Sequence, residues 1–207
     1  MAWFLSMEVW QQALLASLAM YFMTALGASF VLFARRPKEG VFTLLLGLSA
    51  GIMIAASFFS LLLPAIEAEG RLPAYLPVTA GFLLGGAFIV GSDALLSRRQ
   101  RAFRAMGDRR TALLYFAVTL HNIPEGIALG VVLAGMLSQQ AEITMTGALA
   151  LSIGIAIQNF PEGAIVSLPL KSEGRLKRGR AFLYGSLSGI VEPIAALLTI
   201  LLSELFT

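Results

Sequence analysis

The sequence predicts an all-α, polytopic membrane bundle, and three observations carry that fold class. The first is composition: of 207 residues, 57% are hydrophobic and only 13% charged, with a mean hydropathy of +0.82, far above that of a soluble domain. The second is segmentation. Six apolar stretches, at about 8–34, 41–66, 75–97, 112–137, 143–170 and 182–205, each reach the ~20 residues that a helix needs to cross a bilayer, and together they form one transmembrane domain over 1–207. The third is charge placement: of 15 Lys and Arg, all but Arg71 fall in three clusters between the stretches.

Taken in order, the first span begins near Trp3 and Trp10, suited to the membrane interface, and lacks a basic leader and a cleavage pattern, so it reads as retained. Loop one carries Arg35, Arg36 and Lys38; loop three Arg98, Arg99, Arg101, Arg104, Arg109 and Arg110; loop five Lys171, Arg175, Lys177, Arg178 and Arg180. The alternate loops hold Arg71 with the acidic Glu67, Glu69 and Glu142. The positive-inside rule then gives a multi-pass protein of the cell (inner) membrane with loops one, three and five in the cytoplasm and both termini extracytoplasmic. Orientation in a lipid bilayer accounts for the +3 net charge, so no nucleic-acid partner is expected; the competing use of loop three is a lipid or regulator site.

The second span carries Met53, Ser57 and Ser60 at spacings of three and four, a thioether and two hydroxyls that share a face and could line a path. The competing reading has Met53 filling a gap and the serines bonding back to their own backbone. Gly47/Gly51, Gly81/Gly85 and Gly185/Gly189 are small-xxx-small pairs that allow close helix approach within the chain or across a homodimer. With no cysteine, any metal must bind through imidazole, carboxylate, amide or thioether.

The fourth and fifth spans carry the chemistry. His121-Asn122-Ile123-Pro124-Glu125-Gly126 recurs as Gln158-Asn159-Phe160-Pro161-Glu162-Gly163, and an intramembrane carboxylate costs about 3 kcal/mol unless a cation or proton compensates it. His121 and Glu125, like Gln158 and Glu162, are four apart and project from one helical face. Pro124 and Pro161 each remove a backbone donor, which predicts kinked helices with carbonyls freed beside the side chains. One short loop joins the two spans, so they run antiparallel, and a motif repeated on antiparallel neighbours implies a pseudo-twofold axis in the membrane plane. That is the sequence pointer to the midplane site of a secondary transporter. Glu192-Pro193 in the sixth span adds a third carboxylate. Three carboxylates with a neutral histidine suit one or two divalent cations, and mixed nitrogen and oxygen ligands suit zinc and its transition-metal neighbours. Singly, the histidine reads as a helix-bridging hydrogen bonder, a glutamate as a protonated acid, and Asn122, Asn159 and Gln158 as helix glue; a duplicated hexad is hard to obtain from packing alone.

At these residues, and at Gly51 to Ser60 of the second span, the sequence resembles the ZIP family of divalent-metal transporters, within it the GufA-like branch. The resemblance implies a binuclear mid-membrane site. One ion would use His121, Glu125, Gln158 and Glu162 with Met53 as a fifth contact; the other would use Asn122, Asn159 and Glu192, with Glu125 and Glu162 bridging. Gln158 stands where many members carry histidine, which implies a broader metal range. The family fold has eight spans, so the six here correspond to the first six; the last two are expected from a longer natural chain or a partner chain.

The expected function is therefore alternating-access transport of Zn²⁺ or related divalent cations, with the metal as substrate and no prosthetic group. Two alternatives come from other classes. A non-transporting truncated or assembly subunit is one; an intramembrane metalloenzyme is the other, disfavoured because no nucleophile or oxyanion donor accompanies the ligands. The chain is expected not to be an enzyme.

Overall fold

The computed structural model describes residues 6–33, 39–67, 73, 75–98, 109–137 and 145–206. Trp3, Arg35, Arg36, Lys38, Glu69, Arg71, Arg99, Arg101, Arg104 and Glu142 lie outside them. The described chain is helical: α1 (Val9–Ala28), α2 (Phe30–Phe33), α3 (Glu39–Ala56), a π-helix (Ser57–Leu62), α4 (Leu63–Glu67), α5 (Tyr75–Arg98), α6 (Arg109–Leu137), α7 (Met145–Ser172), α8 (Arg178–Leu187) and α9 (Val191–Phe206). Six runs among these residues are long and apolar enough to cross a membrane: Trp10–Phe33, Glu39–Phe59, Tyr75–Ser92, Arg110–Gly135, Thr146–Ser172 and Arg178–Ser203. The chain is thus a multi-pass membrane bundle.

α7 is the central helix. Every residue from 161 to 170 is buried, because α1, α3, α6 and α8 all pack on it, while α9 closes the bundle against α6 and α1. Two apolar clusters fill the interior. One joins Ala13, Met20, Leu129, Val132, Leu133, Leu151, Ile155 and Ile200. The other joins Val31, Ala112, Ala164, Val166, Leu168, Leu170 and Ala181. From α1 to α2, and within each of α6 and α7, the chain passes from one cluster to the other, and on α6 and α7 the two polar hexads fall in between. The second cluster lies at the end where the basic loops attach, hereafter the basic end. α5 is peripheral, with none of its most apolar window buried.

Three local features go beyond the expected span pattern. Both hexads lie within helices that continue through Pro124, Pro161 and a further proline, Pro169; neighbouring helices hold the backbone in place where propensity alone would break it. The second span is not one α-helix, since the π-helix interrupts it. The sixth is broken at 188–190, so Glu192 falls in the first turn of α9, where Pro193 lacks only an N–H that would have no helical partner.

The glycine that ends each hexad has a steric role. A Cβ on Gly163 would collide with the Thr24 carbonyl oxygen, and one on Gly126 with the Glu192 carbonyl oxygen, so each copy brings its helix into backbone contact with a neighbour. Among the described residues, Gly185/Gly189 is the small-residue pair used inside the chain: Gly185 meets Ser167 and Gly189 meets Thr24, whereas Gly47, Gly51, Gly81 and Gly85 meet no described neighbour. Gly163→Ala is therefore expected to lower thermal stability, since overpacking costs about 1–3 kcal/mol against at most about 1 kcal/mol gained in helix propensity. Gly85→Ala keeps the propensity gain alone. Melting of the two variants in detergent should shift in opposite directions, and parallel shifts would remove the close-packing argument.

Candidate metal centre

α6, α7 and the start of α9 bring the three carboxylates to one level. His121 Nε2 lies 3.5 Å from Glu125 Oε1, with side chains 36% and 11% exposed. The i, i+4 spacing on α6 makes that contact, and it fixes the first half of the site. His121, Glu125 and Glu162 each offer one ligand atom, all within 4.8 Å of one another, so α7 supplies the third donor across the helix pair. The Gln158 amide, one turn from Glu162, donates to Glu125 Oε1. Met53, His121, Glu125 and Gln158 line one open-sided cavity of about 120 Å³.

The remaining polar residues lie behind this trio and are fully buried. Asn159 Nδ2 donates to Glu192 Oε2 at 2.8 Å and to the Met20 carbonyl oxygen at 3.3 Å. Asn122 Nδ2 donates to the Ser188 carbonyl oxygen at 3.1 Å; Ser188 is one turn before Glu192, and Asn122 one turn before Gly126. Glu192, 0% exposed, accepts the Asn159 amide and gains from the unpaired N–H groups of the α9 first turn, which favour negative charge.

One pattern runs through the whole set. Five oxygens have no hydrogen-bond partner although buried: Asn122 Oδ1, Glu125 Oε2, Asn159 Oδ1, Glu162 Oε2 and Glu192 Oε1. In both asparagines the nitrogen is anchored and the oxygen is left free. Buried polar atoms are nearly always paired, and a free carboxylate or amide oxygen is an acceptor that only a donor or a cation can satisfy. Among the described residues no buried side chain is Lys or Arg, so the protein supplies no fixed positive charge. A divalent cation satisfies both the charge and the lone pairs, and the donor set of imidazole, carboxylate and amide fits zinc-like ions.

The cavity is polarised along the bundle. On α3 and the π-helix it is lined by Met53, Ser57 and Leu61, on α6 by His121 to Ala128, and on α7 by Leu151 to Gln158. Each series runs from the site toward the end opposite the basic loops. Toward the basic end, the second apolar cluster closes the interior. Ser60, read in sequence as a path residue beside Met53 and Ser57, has a side chain outside the described set; Leu61, which sequence reasoning did not single out, takes a place on the wall.

No family model matches the sequence. The chain is 32% identical to "Zinc transporter ZIP11" of Homo sapiens, over 89% of this chain and 78% of that protein. It is 37% identical to "Zinc transporter GufA" of Myxococcus xanthus, over 75% and 62%, and 36% identical to "Zinc transporter ZIPB" of Bordetella bronchiseptica, over 94% and 63%. Identity at that level over most of this chain means that it belongs to the ZIP family, in its GufA-like branch.

Proposed function

We propose that this chain transports divalent transition-metal cations across a membrane, Zn²⁺ foremost, by alternating access through the mid-bundle carboxylate site. The observation that carries the reading is the set of buried, unpartnered oxygens on Asn122, Glu125, Asn159, Glu162 and Glu192, gathered where no buried basic side chain offsets them. Its relatives bear the name zinc transporter, which is transport and not catalysis. The first ion is held by His121, Glu125, Gln158 and Glu162 with Met53 at the edge; a second by Asn122, Asn159 and Glu192, with Glu125 and Glu162 shared. For Gln158 to ligate, its amide must turn so that the oxygen, now directed away from Glu125, faces the ion; an amide reverses at small cost when its partner changes.

The cavity supports one half of the alternating cycle, with the site reached from the end opposite the basic loops. By the positive-inside rule the basic end is cytoplasmic, both termini are extracytoplasmic, and the cavity faces outward across the cell membrane. The homodimer reading is carried by α5, where Gly81 and Gly85 meet none of the described residues. Single cysteines introduced there, in a chain that has none, should cross-link between copies in native membranes; monomer alone would refute that interface.

In proteoliposomes loaded with a Zn²⁺-sensitive dye, Glu125→Ala and Glu162→Ala are expected to lower uptake at least about ten-fold, equivalent to about 1.4 kcal/mol, while insertion is unchanged because a buried carboxylate is removed, not added. Parental uptake in either variant would sink the shared-ligand assignment. Gln158→His replaces a weak oxygen donor by imidazole and is expected to raise Zn²⁺ affinity over Cd²⁺ and Mn²⁺ in calorimetry. An unchanged ranking in a folded variant would place Gln158 outside the ion's contacts.

A further inference from the structure

α3 is exposed or half-exposed along its described length except at one residue. Ser49 is 4% exposed, while Gly47, Leu48, Ala50 and Gly51 around it are open. The point at which this helix is fully buried is thus a hydroxyl, a costly choice where an apolar residue would serve. Elsewhere hydroxyls in these helices bond back to their own carbonyls: Thr43 to Glu39, Ser17 to Ala13, Ser152 to Ala148. Ser49 instead lies 3.9 Å from the Met53 sulfur, on the side of α3 that faces the Glu162 carboxylate. It has one proton to give, and the carboxylate is much the stronger acceptor.

Its level in the bundle gives this contact meaning. The cavity wall on the second span starts at Met53 and runs away from the basic end through Ser57 and Leu61. Ser49 is one turn on the other side of Met53, and Glu162 is one turn beyond Gln158 in the same direction. Past them lie Leu45, Ala164 and Val166 of the apolar cluster. Among the described residues, the Ser49 hydroxyl and Glu162 carboxylate thus stand at the level where the site meets the seal.

Resting on the transport reading above, we propose that Ser49 is a further contact of the transported ion: a hard, neutral oxygen that the ion meets as it leaves the His121–Glu125 side for the basic end, and a determinant of which metals pass. One turn along the same helix stands the soft sulfur of Met53. An ion between them is offered one hard and one soft donor, a balance that the residue at 49 sets.

The test is a set of substitutions assayed for Zn²⁺ and Cd²⁺ in the full chain. Ser49→Cys places a soft donor at the same point and should raise Cd²⁺ uptake relative to Zn²⁺ by about five-fold or more, and Cd²⁺ should protect the introduced thiol, the only one in the chain, from maleimide. Ser49→Ala should slow Zn²⁺ uptake several-fold, with Ser49→Thr restoring it. A purely packing role predicts otherwise: Cys and Ala variants with the parental metal ratio, and a thiol that Cd²⁺ leaves equally reactive, would overturn the proposal. If the Cys variant fails to insert, the Ala and Thr pair decides, with parental Zn²⁺ rates in the Ala variant overturning it. A parent that moves neither metal would sink the transport reading alone; equilibrium Cd²⁺ against Zn²⁺ binding by the same variants would then decide on Ser49.

Discussion

Three carboxylates held between two apolar clusters, with no buried Lys or Arg beside them among the described residues, set the terms for the rest of this molecule. In hydrocarbon each charge is expensive, and the usual remedy, a paired Lys or Arg, is missing from the buried set. What the fold offers instead is partial and directional. The Asn159 amide reaches Glu192, the Gln158 amide reaches Glu125, and the Ser49 hydroxyl faces Glu162. Each amide takes up one oxygen and leaves another free, so the site is held in shape without being neutralised. A transporter needs that incompleteness, since a carboxylate fully satisfied by its own protein has no affinity left for cargo.

Close backbone approach makes the arrangement rigid. Gly126 and Gly163 bring α6 against the start of α9 and α7 against α1, with no room for a side chain. A glycine directly after each glutamate fixes the depth at which that carboxylate stands relative to the neighbouring helix. The hexads thus combine candidate ligands, an in-helix proline and close spacing in six residues, and their recurrence on α6 and α7 places equivalent carboxylates on helices that pack together.

Much of this was legible in the sequence. Apolar length gave six spanning runs, and the polar hexads stood out because nothing in lipid packing calls for His, Asn and Glu together. Other features depend on neighbours that a single chain segment does not reveal. The break at 188–190 was hidden by continuous hydropathy, although Gly189 and Pro193 flank it. That the asparagine nitrogens, not the oxygens, are anchored follows from the positions of the Met20 and Ser188 carbonyls, set by tertiary packing. Ser49 lies four residues before Met53, the same spacing as Ser57 after it, so helical periodicity places all three on one face. Its importance comes from α7, which buries it beside Glu162.

The π-helix at Ser57–Leu62 gives the second span an adjustable joint. A π-turn closes its hydrogen bonds one residue later than an α-turn, so it stores one extra residue in the helix. Taking up that residue elsewhere would rotate everything beyond it by about 100° about the axis, the angle each residue subtends in an α-helix. Met53 lies before the joint and Leu61 within it. A local change of winding would therefore turn Leu61 off the cavity wall while the Met53 and Ser49 contacts stayed in register, and the mouth of the pathway could change shape without the helix that carries it having to slide.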